Sequence, residues 1–265
     1  RFIKGYINLL CGNQTTFLRE AEACFQLIHD PLVGESNKLT IRVMHLCHLS
    51  MSGNHNNFRA QQLTLQQSID NTVVNQTVAA PYLFVWGSSN LFSLGMPQQA
   101  LELLDKGLGV TSTATTDHMH SQLLQWKAFG LALANPSEEA AVLISEATKL
   151  RSKAGGLFYT AFHFIVAGAV HIRLEKHTIA RDFLEKALTI SQSIPSTYLV
   201  VCTLFNLSYL KYKTAGSDGA LDDLKRGLSL MASNDYTHFW TWEPVMMTEL
   251  LSLAVRNNIE EIFCG

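Results

Sequence analysis

The chain has 265 residues and a mass of 29.5 kDa; it carries a net charge of -2, and 47% of its residues are hydrophobic. Only 16% are charged, against about 25% in an average globular protein. The hydrophobic fraction excludes a disordered chain, and the near-neutral balance argues against a nucleic-acid surface, which needs clustered Lys and Arg.

Apolar periodicity predicts helices in pairs at 2–11 and 16–29, 38–52 and 58–69, 81–94 and 97–109. The pairs continue at 117–134 and 137–152, 157–174 and 177–193, 197–213 and 217–232, and a final helix covers 241–257. Start signals stand at Pro97, at Asn135-Pro-Ser-Glu138 and at Ser217-Asp218. Short turns such as Ser93-Leu-Gly95 and Lys213-Thr-Ala-Gly216 join the partners. No alternating segment bounded by turns competes as a strand. The segment from Leu157 to Ile172 contains no Asp, Glu, Lys or Arg. It is shorter than the roughly 20 residues of a membrane span and holds His163 and His171, so it reads as a buried helix.

The chain starts without a Met and reads as a single helical-repeat domain over 1–265, a fragment of a longer protein. Without a signal peptide, the expected location is the cytoplasm, and no membrane contact is expected. Cys11, Cys24, Cys47, Cys202 and Cys264 form no C-x-x-C motif and read as free thiols of a reducing compartment. The sequons at Asn13, Asn75 and Asn206 carry no meaning there.

Alanine recurs every forty residues, at Ala60, Ala100, Ala140, Ala180 and Ala220. Seven positions on stand Gly107, Ala147, Ala187 and Gly227, small residues that let a neighbouring helix approach closely. A fixed period of this size means a solenoid, here about six and a half two-helix repeats. A HEAT-type array also fits the period, but it leaves the Gly-x-x-x-x-Ala pattern at Gly95–Ala100 unexplained.

That pattern, with Leu94-Gly95, Gln99-Ala100 and Lys106-Gly-Leu108, resembles tetratricopeptide repeats over roughly residues 38–232. The resemblance implies an all-α, right-handed superhelix whose first helices line the concave side. Phe239-Trp-Thr-Trp-Glu-Pro244, Leu250-Leu-Ser-Leu-Ala254 and Asn258-Ile259 resemble the end of the sensor region in MalT-like, LuxR-type bacterial regulators. This second resemblance implies a flanking ATPase module and a DNA-binding module in the same chain, the latter after Phe263-Cys-Gly265. The partner would be a small-molecule inducer or a regulatory protein, with no direct nucleic-acid contact by these residues. The alternative is a general protein-binding scaffold.

Charge sorts by helix. The first helices at 81–94, 121–134, 161–174 and 201–214 carry four charges in 56 positions, while the second helices at 98–109, 138–149, 178–189 and 218–229 carry sixteen in 48. The second helix is therefore expected outside and the first inside. The tetratricopeptide register then gives candidate groove residues: Arg42, His45, Tyr82, Trp86, Gln122, Gln125, Trp126, Phe129, Arg173, Asn206, Tyr209 and Lys213. Trp86 and Trp126, forty apart, are expected to stack, with amides nearby to orient a ligand. The competing expectation is that these aromatics are core and that Arg173, Lys211 and Lys213 are solvated helix ends.

Catalytic patterns do not assemble. His45-x-x-His48 lacks the partners of a tetrahedral metal set. His118-x-His120 reads as a helix start, Gly107-x-Gly109 as a helix end, and no H-E-x-x-H, G-x-S-x-G or P-loop occurs. The expectation is a binding domain without cofactor or metal, not an enzyme by itself.

Overall fold

The computed structural model describes residues 2–10, 13–70, 76–111, 116–194 and 196–259. The first pair is α1 (Phe2–Leu10) and α2 (Gln14–Phe25), the latter extended by a 3-10 turn at Gln26–His29. Next come α3 (Glu35–Met51) with α4 (His55–Asp70), and α5 (Gln76–Ser93) with α6 (Pro97–Thr111). Then follow α7 (Asp117–Ala134) with α8 (Glu138–Ala154), and α9 (Leu157–Arg173) with α10 (His177–Ser193). The last pair is α11 (Thr197–Ala215) with α12 (Ser217–Ser233), and α13 (Pro244–Arg256) stands alone. Among the described residues there is no strand. The pairs stack as a right-handed superhelix of two-helix, tetratricopeptide-like repeats.

Several boundaries differ from the sequence reading, and three have a clear local cause. Pro81 lies inside α5, which begins at Gln76 rather than at the proline. Ser137 takes the cap position of α8, so Asn135 and Pro136 belong to the connection. The final helix starts at Pro244 rather than at 241, because Thr241 holds φ +65 and cannot be helical. Glu243 caps α13 by accepting hydrogen bonds from the backbone N–H of Val245 and Met246.

The repeat register also slips once. Ala100, Ala140, Ala180 and Ala220 are fully buried, whereas Ala60 is exposed. Phe58, the fourth residue of α4 as Ala100 is of α6, takes the buried place, and Leu65 takes that of Gly107. The spacing between the second and third repeats is thus forty-two residues.

The inner and outer assignment follows the charge. Thirteen residues are buried on each of α9 and α11, against four on α10 and five on α12. Each outer helix offers one apolar stripe and gives its other faces to water. Close approach needs small residues: a Cβ added at Gly168 of α9 would lie 2.5 Å from Leu184 Cγ of α10. The array curves tightly enough for its first and fifth repeats to meet, with the Tyr6 and Tyr159 hydroxyls 3.4 Å apart. Cys24, Cys47 and Cys202 are buried thiols outside any disulfide; Cys11, Asn75 and the 263–265 terminus lie outside the described residues. Burial pushes the Cys47 and Cys202 thiols up.

Candidate functional site

The inner faces of α5 and α7 bury Trp86, Phe92, Gln122, Gln125, Trp126 and Phe129. The two tryptophans do not stack on each other. Trp126 stacks on Phe92 at 5.7 Å between ring centroids, and Trp86 stacks on Trp240 at 4.8 Å and 19°. Packed helices lie about 8–10 Å apart, so rings at equivalent positions leave room for a third ring between them.

Trp240 belongs to the irregular segment 234–243 between α12 and α13. Connections normally run over the surface, because a buried backbone needs partners. Here Tyr236, His238, Phe239, Trp240, Thr241 and Glu243 are all buried inside the superhelix. The wall supplies the partners. Tyr198 Oη accepts from the Trp240 backbone N–H at 2.9 Å. Asn206 Nδ2 donates to Thr241 Oγ1 at 3.1 Å, and His238 Nε2 lies 3.0 Å from Ser93 Oγ. Thr237 Oγ1 donates to the carbonyl of Ser52, so a segment from the end of the array reaches its second repeat.

The ring of Trp240 is enclosed by Trp86, Phe158, Phe162 and Tyr198. Phe239 lies against Phe205 at 4.8 Å. Gly53 matters here: a Cβ would lie 2.7 Å from the Cβ of His238, so the turn after α3 must be glycine for the segment to seat. Beside Tyr236 a cavity of about 30 Å³ remains between Gln14, Met51 and Tyr198, room for about one or two waters. Asp235 and Thr241 hold positive φ, +54 and +65. Each non-glycine residue in that region costs on the order of 1–3 kcal/mol, offset by the anchors around it.

Arg173 is no solvated helix end. Its side chain is 9% exposed, lies over the rings of Phe129 and Tyr209, and donates to Glu243 Oε1 at 2.9 Å. Glu243 is equally buried and joins the segment to the start of α13. Lys213 is exposed, pairs with Glu249 of α13 at 2.7 Å and lies over Tyr209 at 5.0 Å. Lys211 pairs with Asp223 at 2.7 Å, drawing that half-buried carboxylate away from free solvent. Tyr82 is half-buried at the same wall, and burial pushes its phenol up to about 12.

A buried polar row runs behind Trp126. Gln125 donates to Gln122 Oε1 at 2.9 Å, and its own Oε1 lies 2.9 Å from His163 Nδ1. His163 Nε2 meets Thr148 Oγ1 at 2.8 Å. Burial, with Arg151 nearby, holds His163 at about 3, so the imidazole is neutral and donates through Nδ1. With Gln125 and His163 fully buried, this row cross-links helices and does not reach a substrate.

Two candidates fall elsewhere. With Phe58 as the register residue, Arg42 and His45 match Phe84 and Gly87, not the row of Tyr82 and Trp86. His45 stacks on Phe25 at 3.7 Å and bonds Glu22 at 3.2 Å, so it faces the preceding repeat; Arg42 is half-buried. Of the twelve candidates, Trp86, Arg173 and Asn206 touch the segment. Sequence reasoning missed the partners on the other side, Trp240 and Glu243, and the wall residues Tyr198 and Phe158. The available signal was the aromatic density of Phe239-Trp-Thr-Trp in a stretch without helical period, since such surface asks for burial. Among the described residues no group of three or more His, Cys, Asp or Glu could hold a metal ion, and no helix is long and apolar enough to cross a membrane.

No protein-family model matches the chain, and no curated protein matches it. Among solved structures the chain is similar to the apo form of RapI, with 10% identity and a TM-score of 0.55 over 99% of this chain and 72% of that one. At this identity the likeness is one of fold, a helical-repeat architecture.

Proposed function

We propose that the chain is a non-catalytic binding domain of a regulator, and that its inner channel is the place where a signal is read. One observation carries this reading: side chains of α5, α9 and α11 converge on an irregular stretch of polypeptide and supply it with a ring pocket, a guanidinium and an amide. Such a wall is equipped to hold a ligand by apolar area and a few placed polar groups. Arg173 and Glu243, the charged groups at the wall, are bonded to each other within the core, which suits binding rather than turnover.

The resemblance of the Phe239–Pro244 region to MalT-like sensor ends supports the finer reading. In it the domain sits in a cytoplasmic transcription regulator, between an ATPase module and a DNA-binding module of the same chain. A small inducer or a regulatory protein enters the channel and biases how the array packs against those modules. Trp86, Arg173, Asn206 and Tyr209 are the residues of the wall assigned to it.

The test has two steps. The reading frame around these residues should encode a P-loop upstream and a helix-turn-helix downstream; a frame with neither turns the reading toward a scaffold. With the frame in hand, reporter transcription should lose its response to inducer in Arg173→Gln at unchanged protein level. A response equal to wild type refutes a channel site.

A further inference from the structure

We propose that the segment Tyr236–Glu243 is a tethered stand-in for a linear peptide, and that the channel exchanges it for a free peptide carrying two aromatic rings followed by a carboxylate. The inference rests on the binding-domain reading above and deepens it by naming the ligand class.

Three observations carry it. The segment is held as a bound peptide is held. It has no helix or ladder of its own, and its ring, hydroxyl and carboxylate each meet a separate group on the wall: Trp240 on Trp86, Thr241 on Asn206, Glu243 on Arg173. The fit is incomplete. Trp240 Nε1 and Asn206 Oδ1 are buried there without a hydrogen-bond partner, although both residues are fully enclosed. A different occupant could satisfy Asn206, and release of the segment returns the Trp240 indole N–H to solvent. The seating is also strained by the tether. Asp235 holds left-handed backbone where α12 ends and the chain turns back into the channel, whereas Thr241 holds it within the segment itself. A free peptide is spared the turn at Asp235 and keeps only the one at Thr241. The exposed Asp235 at the end of α12 is the natural hinge.

A tethered occupant competes at an effective concentration that is millimolar for a short flexible link. Free peptide must therefore bind weakly to the intact chain and far better once the tethered copy is damaged. The probe is a fluorescein-labelled synthetic peptide with the sequence of residues 236–243, followed by anisotropy with the chain 1–265. Trp240→Ala is expected to bind it at least about tenfold more tightly than wild type, by removal of the competitor. Adding Arg173→Gln should cost at least about tenfold of that gain, through loss of the carboxylate partner. A Trp240→Ala chain with wild-type circular dichroism that ignores the peptide overturns the proposal, as does binding indifferent to Arg173→Gln.

Should Trp240→Ala fail to fold, the wild type answers instead. Excess peptide should speed hydrogen exchange at the Trp240 amide, which is bonded to Tyr198. Unchanged exchange overturns the proposal. A chain that refuses the peptide but is stabilised by a sugar or an amino-acid derivative overturns this inference and leaves the binding-domain reading standing.

Discussion

Trp240→Ala and Glu243→Ala, made singly and together, measure how firmly the segment is held. The Trp240 side chain is fully buried against four aromatic rings. Truncating a buried tryptophan costs about 3–5 kcal/mol. Glu243→Ala leaves the Arg173 guanidinium buried and unpaired, which costs about 3–5 kcal/mol. It also removes the cap of α13, at about 1 kcal/mol. Independent effects would add to about 7–11 kcal/mol, as much as the whole stability of many domains. A segment that opens on its own sets a ceiling, because after opening neither contact exists to be lost. Each single change is therefore expected to cost about 3 kcal/mol or the opening free energy, whichever is smaller. The double variant should fall no more than about 1 kcal/mol below the weaker single. Urea unfolding followed by far-ultraviolet circular dichroism reads the helices and not the segment's own tryptophans. Additive losses across the cycle would refute local opening.

Other substitutions separate the parts of the account. Gly53→Ala forces a Cβ against His238 at a position with φ +67; a loss of about 1–3 kcal/mol in the urea midpoint is expected, and a neutral result contradicts the seating of the segment. Phe58→Ala should cost about 3–5 kcal/mol while Ala60→Glu stays within about 0.5 kcal/mol, reversing what the forty-residue alanine register implies. Acid should destabilise the fold in a defined window. Burial holds His163 and His238 at about 3 and His118 at about 4, against an ordinary 6.5, with Arg151 and His55 adding to the depression. From pH 6.5 down toward 4 the unfolded chain binds three protons at these sites that the folded chain does not. Stability therefore falls as pH falls, by up to about 4 kcal/mol per unit for the three groups. Urea midpoints at pH 6.5, 5.5 and 4.5 check this, and His163→Gln should remove about a third of the slope; equal slopes would contradict the assignment.

Helix pairing was legible because it is written in local terms: apolar period, charge segregation and turn residues. The alanine stripe on α6, α8, α10 and α12 needed only the period of the helix to be found. The slip at Ala60 was not legible, since alanine tolerates exposure and its type alone does not say which face it occupies. The state of the channel was hidden for a different reason. The low charge of the inner helices foretold a dry wall, and the wall is dry because Phe239 and Trp240 fill it. That contact joins residues more than a hundred positions apart, such as Trp86 and Trp240, and no local pattern encodes it. Arg173 illustrates the same limit. Its place at a helix end suggested solvent, and only the folded chain brings Glu243 to it.

Native-state hydrogen exchange at the Trp240 amide tests the central claim most directly, because its acceptor is the Tyr198 hydroxyl across the channel. The account predicts exchange through local opening, with a free energy lower than that of the α11 amides and little dependence on added denaturant. Exchange of Trp240 at the global unfolding rate, with the same denaturant slope as α11, would mean that the segment is permanent core.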